Sequence, residues 1–183
     1  MLSNILKLKL SEIDTSRNKR EEIADWLINN PRYLLQTLNT YFCSNNSLLV
    51  KTAYVLEIIC ERELSLFSEY QNIFFKELPK ITNSSALRAS AKICEILCKE
   101  HYLHHSSISL NIDEQKIMTE CCFNWLITEQ KVACQVPAMT CLALLGMESN
   151  WIHEELKQNL IKNIPNKSAG YKARARKVLK EIT

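Results

Sequence analysis

The sequence predicts an all-α fold, an α-α superhelix of about four helix pairs behind an N-terminal capping helix. Three observations predict it. Four stretches repeat one helical pattern, most clearly Ala53-Tyr54-Val55-Leu56-Glu57-Ile58-Ile59-Cys60 and Ala91-Lys92-Ile93-Cys94-Glu95-Ile96-Leu97-Cys98, with weaker copies anchored on Ala138 and Ala175. The anchors are 38, 47 and 37 residues apart, and a period of that size built from helix pairs is the mark of a solenoid. Only two glycines (Gly146, Gly170) and four prolines interrupt the 183 residues, and good helix formers dominate. The apolar positions also recur at helical steps: Leu87, Ala91, Cys94 and Cys98 form one row, with Ala86, Ser90, Ile93 and Leu97 beside it.

The elements follow in order as one domain over 1–183. Residues 1–30 form the N-terminal cap: a short amphipathic helix from the leading Met1-Leu2-Ser3-Asn4-Ile5-Leu6 segment, then a helix from about Ser16 to Asn29. The first pair spans 31–62. Pro31 suits a first helical position, and Ser44-Asn45-Asn46 forms the turn. The second pair spans 66–100, with helices from about Leu66 to Leu78 and Ser84 to Glu100, broken by Pro79 and Thr82-Asn83-Ser84-Ser85. A polar loop from His101 to Ile112 lengthens the middle spacing. The third pair spans 113–147, with Asp113 as N-cap and Gly146 as its close. Pro137 lies inside its second helix and should kink or delay it. The fourth pair spans 149–183, broken by Pro165-Asn166-Lys167; its last helix buries Tyr171, Ala175, Val178 and Ile182. On the second pair, Arg88, Lys92, Glu95 and Lys99 share a side and should face solvent.

From residue 31 onward the period, the helix-pair layout, the proline or polar break before each second helix and the small residue within it resemble the HEAT-like (ARM-type) repeat superfamily. The resemblance implies a curved binding surface and says little about activity. Some HEAT-like proteins are alkylation-repair DNA glycosylases with a basic concave groove, so nucleic acid is the alternative partner that the resemblance implies. The segments Val132-Ala133-Cys134-Gln135-Val136-Pro137-Ala138-Met139 and Lys172-Ala173-Arg174-Ala175-Arg176-Lys177 are also similar to short bacterial helical proteins, some of which carry an adenylosuccinate lyase label. No Gly- and Ser-rich catalytic loop of a lyase is present.

Charge singles out the C-terminus. Residues 156–183 carry Lys157, Lys162, Lys167, Lys172, Arg174, Arg176, Lys177 and Lys180 against Glu181 alone, a net +7 in a chain of net +3. Lys172, Arg176 and Lys180 recur at four-residue steps, with Arg174 and Lys177 alongside. Such a helix suits an acidic protein segment or phosphates, with binding that weakens as salt rises. Arg88, Lys92, Lys172, Arg174, Arg176 and Lys177 are the candidate partner-binding residues.

Other constellations carry less. His101, His104 and His105 have spacings that can share a helical face and hold zinc with Glu100 or Cys98, but no second ligand cluster accompanies them. No metal or cofactor is assigned. Trp26, Trp125 and Trp151 each sit in apolar surroundings and should pack in the core. The stripe Tyr70, Phe74, Phe75 and Leu78 should do the same. The eight cysteines include no CxxC pair and suit a reduced cytosolic interior. No apolar run approaches the roughly 20 residues of a membrane span. Phosphate-cradling, nucleophile-elbow and HExxH motifs are missing. The expectation is a non-catalytic, cytoplasmic binding scaffold for an acidic protein or peptide, with nucleic acid as the alternative.

Overall fold

Short polar side chains set four of the described helix starts. Ser3, Ser16, Asn111 and Ser168 each accept a hydrogen bond from a backbone N–H of the first turn that follows, which satisfies a donor no intrahelical carbonyl can reach. The computed structural model describes residues 3–14, 16–43, 47–104 and 108–182. Among these residues every regular element is helical, with eleven α-helices and no strand. No described helix is long and apolar enough to cross a membrane. The chain forms two compact units, Met1–Ser90 and Ala91–Thr183, and the division falls inside one helix, Ser84–Lys99.

In the first unit, α1 (Asn4–Ser11) and α2 (Arg17–Ile28) precede a 3-10 turn at Pro31–Tyr33, α3 (Leu34–Cys43) and α4 (Ser47–Arg62). Helices α1, α2 and α3 all pack on α4. Helix α1 buries Leu6 and Leu10, one turn apart, and leaves Ile5 and Leu8 exposed. The expected turn at Ser44-Asn45-Asn46 lies outside the described residues. The helix expected from Leu66 to Leu78 is divided into α5 (Leu64–Ser68), α6 (Gln71–Glu77) and a 3-10 turn over Leu78–Lys80. A tight turn, in which Tyr70 N–H donates to Phe67 O at 2.9 Å, separates α5 from α6. Phe67, Phe74 and Phe75 stay buried as a cluster of edge-on rings 5.3 and 5.4 Å apart. The first half of α7 (Ser84–Lys99) closes this unit. There Tyr41 Oη donates to Ala86 O at 3.2 Å and shares a short hydrogen bond with Ser90 Oγ.

In the second unit, α7 runs into a π-turn at Glu100–His104, in place of the polar loop expected from His101. Helix α8 (Ile112–Ile127) begins one residue before the expected cap. Its N-cap is Asn111, not Asp113. Asn111 Oδ1 accepts from Glu114 N–H and Glu114 Oε2 accepts from Asn111 N–H, each at 3.0 Å. Helices α8, α10 (Asn150–Asn163) and α11 (Ala169–Glu181) each pack on α9 (Val132–Leu145). Pro137 sits inside α9, yet the helix continues to Leu145. The only backbone acceptor it deprives of an intrahelical partner is that of Ala133, an exposed residue that water can serve. Fully buried Gln135, two residues earlier, donates from Nε2 to the Trp125, Leu126 and Thr128 carbonyls at 3.2–3.4 Å and so covers the open end of α8.

The four anchor alanines, Ala53, Ala91, Ala138 and Ala175, are all fully buried. So are, within a few per cent, the two neighbouring rows of α7 from Ala86 to Cys98. Gly146 ends α9 in right-handed geometry (φ −66°) rather than as a left-handed cap. Its role is steric. A Cβ there would stand 2.7 Å from His153 Cγ and closer still to the rest of the imidazole edge. The missing side chain lets His153 Nε2 donate to Ala143 O at 2.8 Å, joining α10 to α9.

Candidate partner-binding surface

The six candidate residues fall into three environments. Arg88, in the first unit, is held by its own chain. Its Nη1 and Nη2 donate to the two carboxylate oxygens of Glu57 at 2.8 and 3.2 Å. Its guanidinium also lies 5.2 Å from the Tyr54 ring centroid, while Arg20 lies 4.4 Å from the same ring. A fork-to-fork pair with a buried carboxylate plus a cation–π contact occupies most of what an arginine offers a partner.

Lys92, in the second unit, is similarly engaged. The stripe Arg88, Lys92, Glu95 and Lys99 was expected to face solvent, but Glu95 is only 4% exposed. Lys92 Nζ and Lys99 Nζ bond its two oxygens at 3.1 and 2.7 Å. Burial by itself would raise the Glu95 pKa. Hydrogen bonds from Lys99 and Lys92 outweigh that and hold it below the usual carboxylate range.

The remaining four lie on α11. Tyr171, Ala175 and Val178 are at most 1% exposed, and this row packs on α9. Half-buried Arg174 donates from Nη1 to Thr140 Oγ1 on α9 at 2.9 Å, so it pins the helix in place. Lys172 is half-buried as well. Arg176, Lys177 and Lys180 are exposed on the outward side; among the described residues their one ion pair is Lys177 Nζ with Glu181 at 3.7 Å. An exposed pair at that distance neutralises little. Lys167 adds a further cation, its Nζ 5.3 Å from the Tyr171 ring centroid. Tyr171 itself is fully buried, with its hydroxyl pushed up by burial, so the aromatic of this helix does not face solvent.

The histidine spacing does not survive the π-turn. His101 Nδ1 accepts from Leu110 N–H at 3.2 Å, whereas His104 Nδ1 pairs with Glu100 Oε2 at 2.8 Å. His105 lies outside the described residues. Among the described residues no three metal-ligating side chains converge. Cys94, Cys98, Cys122 and Cys141 are all buried in the second unit, with Cys98 Sγ 3.3 Å from Met118 Sδ. Burial pushes the Cys98 and Cys122 thiols well up. It would do the same to Cys141, but the neighbouring Cys122 and Cys98 thiols lower it.

Trp125 is buried at 3% exposure, whereas Trp151, expected in the core, is 58% exposed and stacks on Phe123 with ring centroids 5.9 Å apart. A sequence signal for this existed. The inward row of α10 is Ile152, Leu156 and Leu160, and Trp151 is one position off it, about 100° around the helix. No protein-family model matches the chain, and no curated protein and no solved structure matches it.

Proposed function

We propose that this chain is a HEAT-like helical-repeat scaffold that binds an acidic protein segment or peptide through the outward face of α11. One observation carries the reading: Arg176, Lys177 and Lys180 stand exposed on a helix whose opposite row is locked into the core. A helix already held in place gives up little backbone entropy when it binds, and its charge speeds encounter with an acidic stretch. The repeat architecture is supported by direct packing of α9 on α11, the second helices of successive pairs, and by burial of the anchor alanine in every copy. Burial of Tyr171 favours an acidic peptide over single-stranded nucleic acid, which gains much of its affinity by stacking on exposed aromatics.

The test is a fluorescence-anisotropy titration of the full chain against a labelled polyglutamate peptide and against single-stranded and duplex DNA, each at two salt concentrations. Salt-sensitive binding of the peptide is expected. It should be lost in the triple variant Arg176→Glu, Lys177→Glu, Lys180→Glu, with no change in thermal midpoint. Absence of peptide binding at low salt refutes the reading, and tighter binding of DNA than of peptide replaces it with nucleic-acid recognition.

A further inference from the structure

A second surface of opposite character lies in the same unit. Helix α8 offers Ile112, Lys116, Thr119 and Glu120 along one side, at helical steps that continue to Phe123. The turn between α9 and α10 and the first residues of α10 supply the other side, with Leu145 and Ile152 forming an apolar floor. Between them runs an open groove of about 380 Å³. Two large apolar side chains mark its rim: Ile112 is 83% exposed and Trp151 58%. Single exposed apolar residues are ordinary, but a tryptophan and an isoleucine on one groove are the composition of a binding hot spot.

The charge around the groove selects the occupant. Glu120 and Glu148 line it, and Glu154 and Glu155 follow Trp151 by three and four residues, on the same side of α10. All four are exposed, and none is in an ion pair among the described residues. Lys116 is the one cation in the lining. A second copy meeting this groove through the same groove would bring like charges together, which disfavours self-pairing. The basic face of α11 has the right charge but no exposed apolar side chain to fill the groove. From Ile112 to Phe123 the wall runs roughly 16 Å, about three helical turns.

We propose that this groove docks a cationic amphipathic helix of a partner protein, with apolar residues at i, i+3, i+4 and i+7 packing against Ile112 and Trp151 and flanking lysines or arginines meeting the glutamates. This site is independent of the basic face of α11, and the two have separable variants.

The probe is a fluorescein-labelled synthetic helical peptide with leucines at i, i+3, i+4 and i+7 and lysines on its flanks. Its counterpart carries glutamates in place of the lysines. The full chain should bind the lysine peptide at 1:1 with micromolar affinity, and the glutamate peptide at least about tenfold more weakly. Trp151→Ala should weaken binding about tenfold, and so should Ile112→Ser, a change at the first, exposed position of α8 that spares the core. Glu120→Lys with Glu148→Lys should abolish the preference for lysine. The α11 triple variant should bind as wild type. Any of three results overturns the proposal: no binding of the lysine peptide, equal affinity for the glutamate peptide, or retained affinity in both Trp151→Ala and Ile112→Ser. Sedimentation equilibrium adds a fourth, a dimer of the unliganded chain that Ile112→Ser dissociates, which would make a second copy the occupant.

Discussion

Replacing Gly146 with alanine should destabilise the second unit by about 1–3 kcal/mol. The backbone there is right-handed helical, with φ −66° and ψ −15°, so alanine brings no backbone strain. On conformational entropy alone it would stabilise by about 0.4–1 kcal/mol. The opposing effect is contact. A Cβ would stand 2.7 Å from His153 Cγ and overlap the nearer ring atoms, so the imidazole must swing out. It then gives up the bond from Nε2 to Ala143 O, about 1 kcal/mol, and repacking adds about 1–3 kcal/mol. Equilibrium urea unfolding of wild type, Gly146→Ala, His153→Ala and the double variant measures both parts. Gly146→Ala should lower the thermal midpoint by about 2–4 °C per kcal/mol. The double variant should be no less stable than His153→Ala, because the space the new methyl needs is already vacant. A neutral or stabilising Gly146→Ala, or strict additivity in the double variant, would refute the steric account. The same turn carries Leu145 and Glu148, so the variant should also weaken peptide binding in the α8–α10 groove.

Glu95→Gln should cost about 1–2 kcal/mol at neutral pH, because two half-exposed lysines lose a charged partner. The folded-state pKa of Glu95 is lowered, so its contribution is complete above the unfolded value of about 4.3 and fades as pH falls through the folded value. The stability gap between wild type and variant should therefore be constant above about pH 5 and narrow below about pH 4; a gap that widens on acidification contradicts the assignment. In a Cys43→Ser background the seven buried thiols should react with a thiol reagent only as fast as the fold opens. Burial raises Cys121 to about 11 and Cys134 to about 12, which removes the reactive thiolate as well as access. A thiol that titrates rapidly in the native protein at about pH 8 would show that the core is less closed than described.

Much of the helical layout was legible because each buried row is local. Tyr171, Ala175 and Val178, or Leu87 to Cys98, are fixed by helical periodicity, and neighbours only decide which side is covered. The start marked by a single capping side chain at Ser16 was legible for the same reason. The cap at Asn111 was not, because Asn111 and Asp113 both suit the role and the reciprocal bond with Glu114 decides between them. The polar stripe of α7 looked solvent-facing because lysine, glutamate and arginine usually are. Glu95 is instead 4% exposed, with its two oxygens paired to Lys92 and Lys99.

For the candidate surfaces the division is sharper. The amino-acid sequence alone determined that the last helix is basic and amphipathic, since charge and periodicity are properties of the chain itself. Only the tertiary structure decided which cations remain to bind anything. Arg88 is taken by Glu57 and Arg174 by Thr140, partners 31 and 34 residues away, and Lys92 by Glu95 of its own helix, whose carboxylate the fold buries. Arg176, Lys177 and Lys180 are left facing water. The same holds for Trp151. Its apolar character is written in the chain, but its exposure follows from α10 turning Ile152, Leu156 and Leu160 inward, which carries the neighbouring position out to solvent.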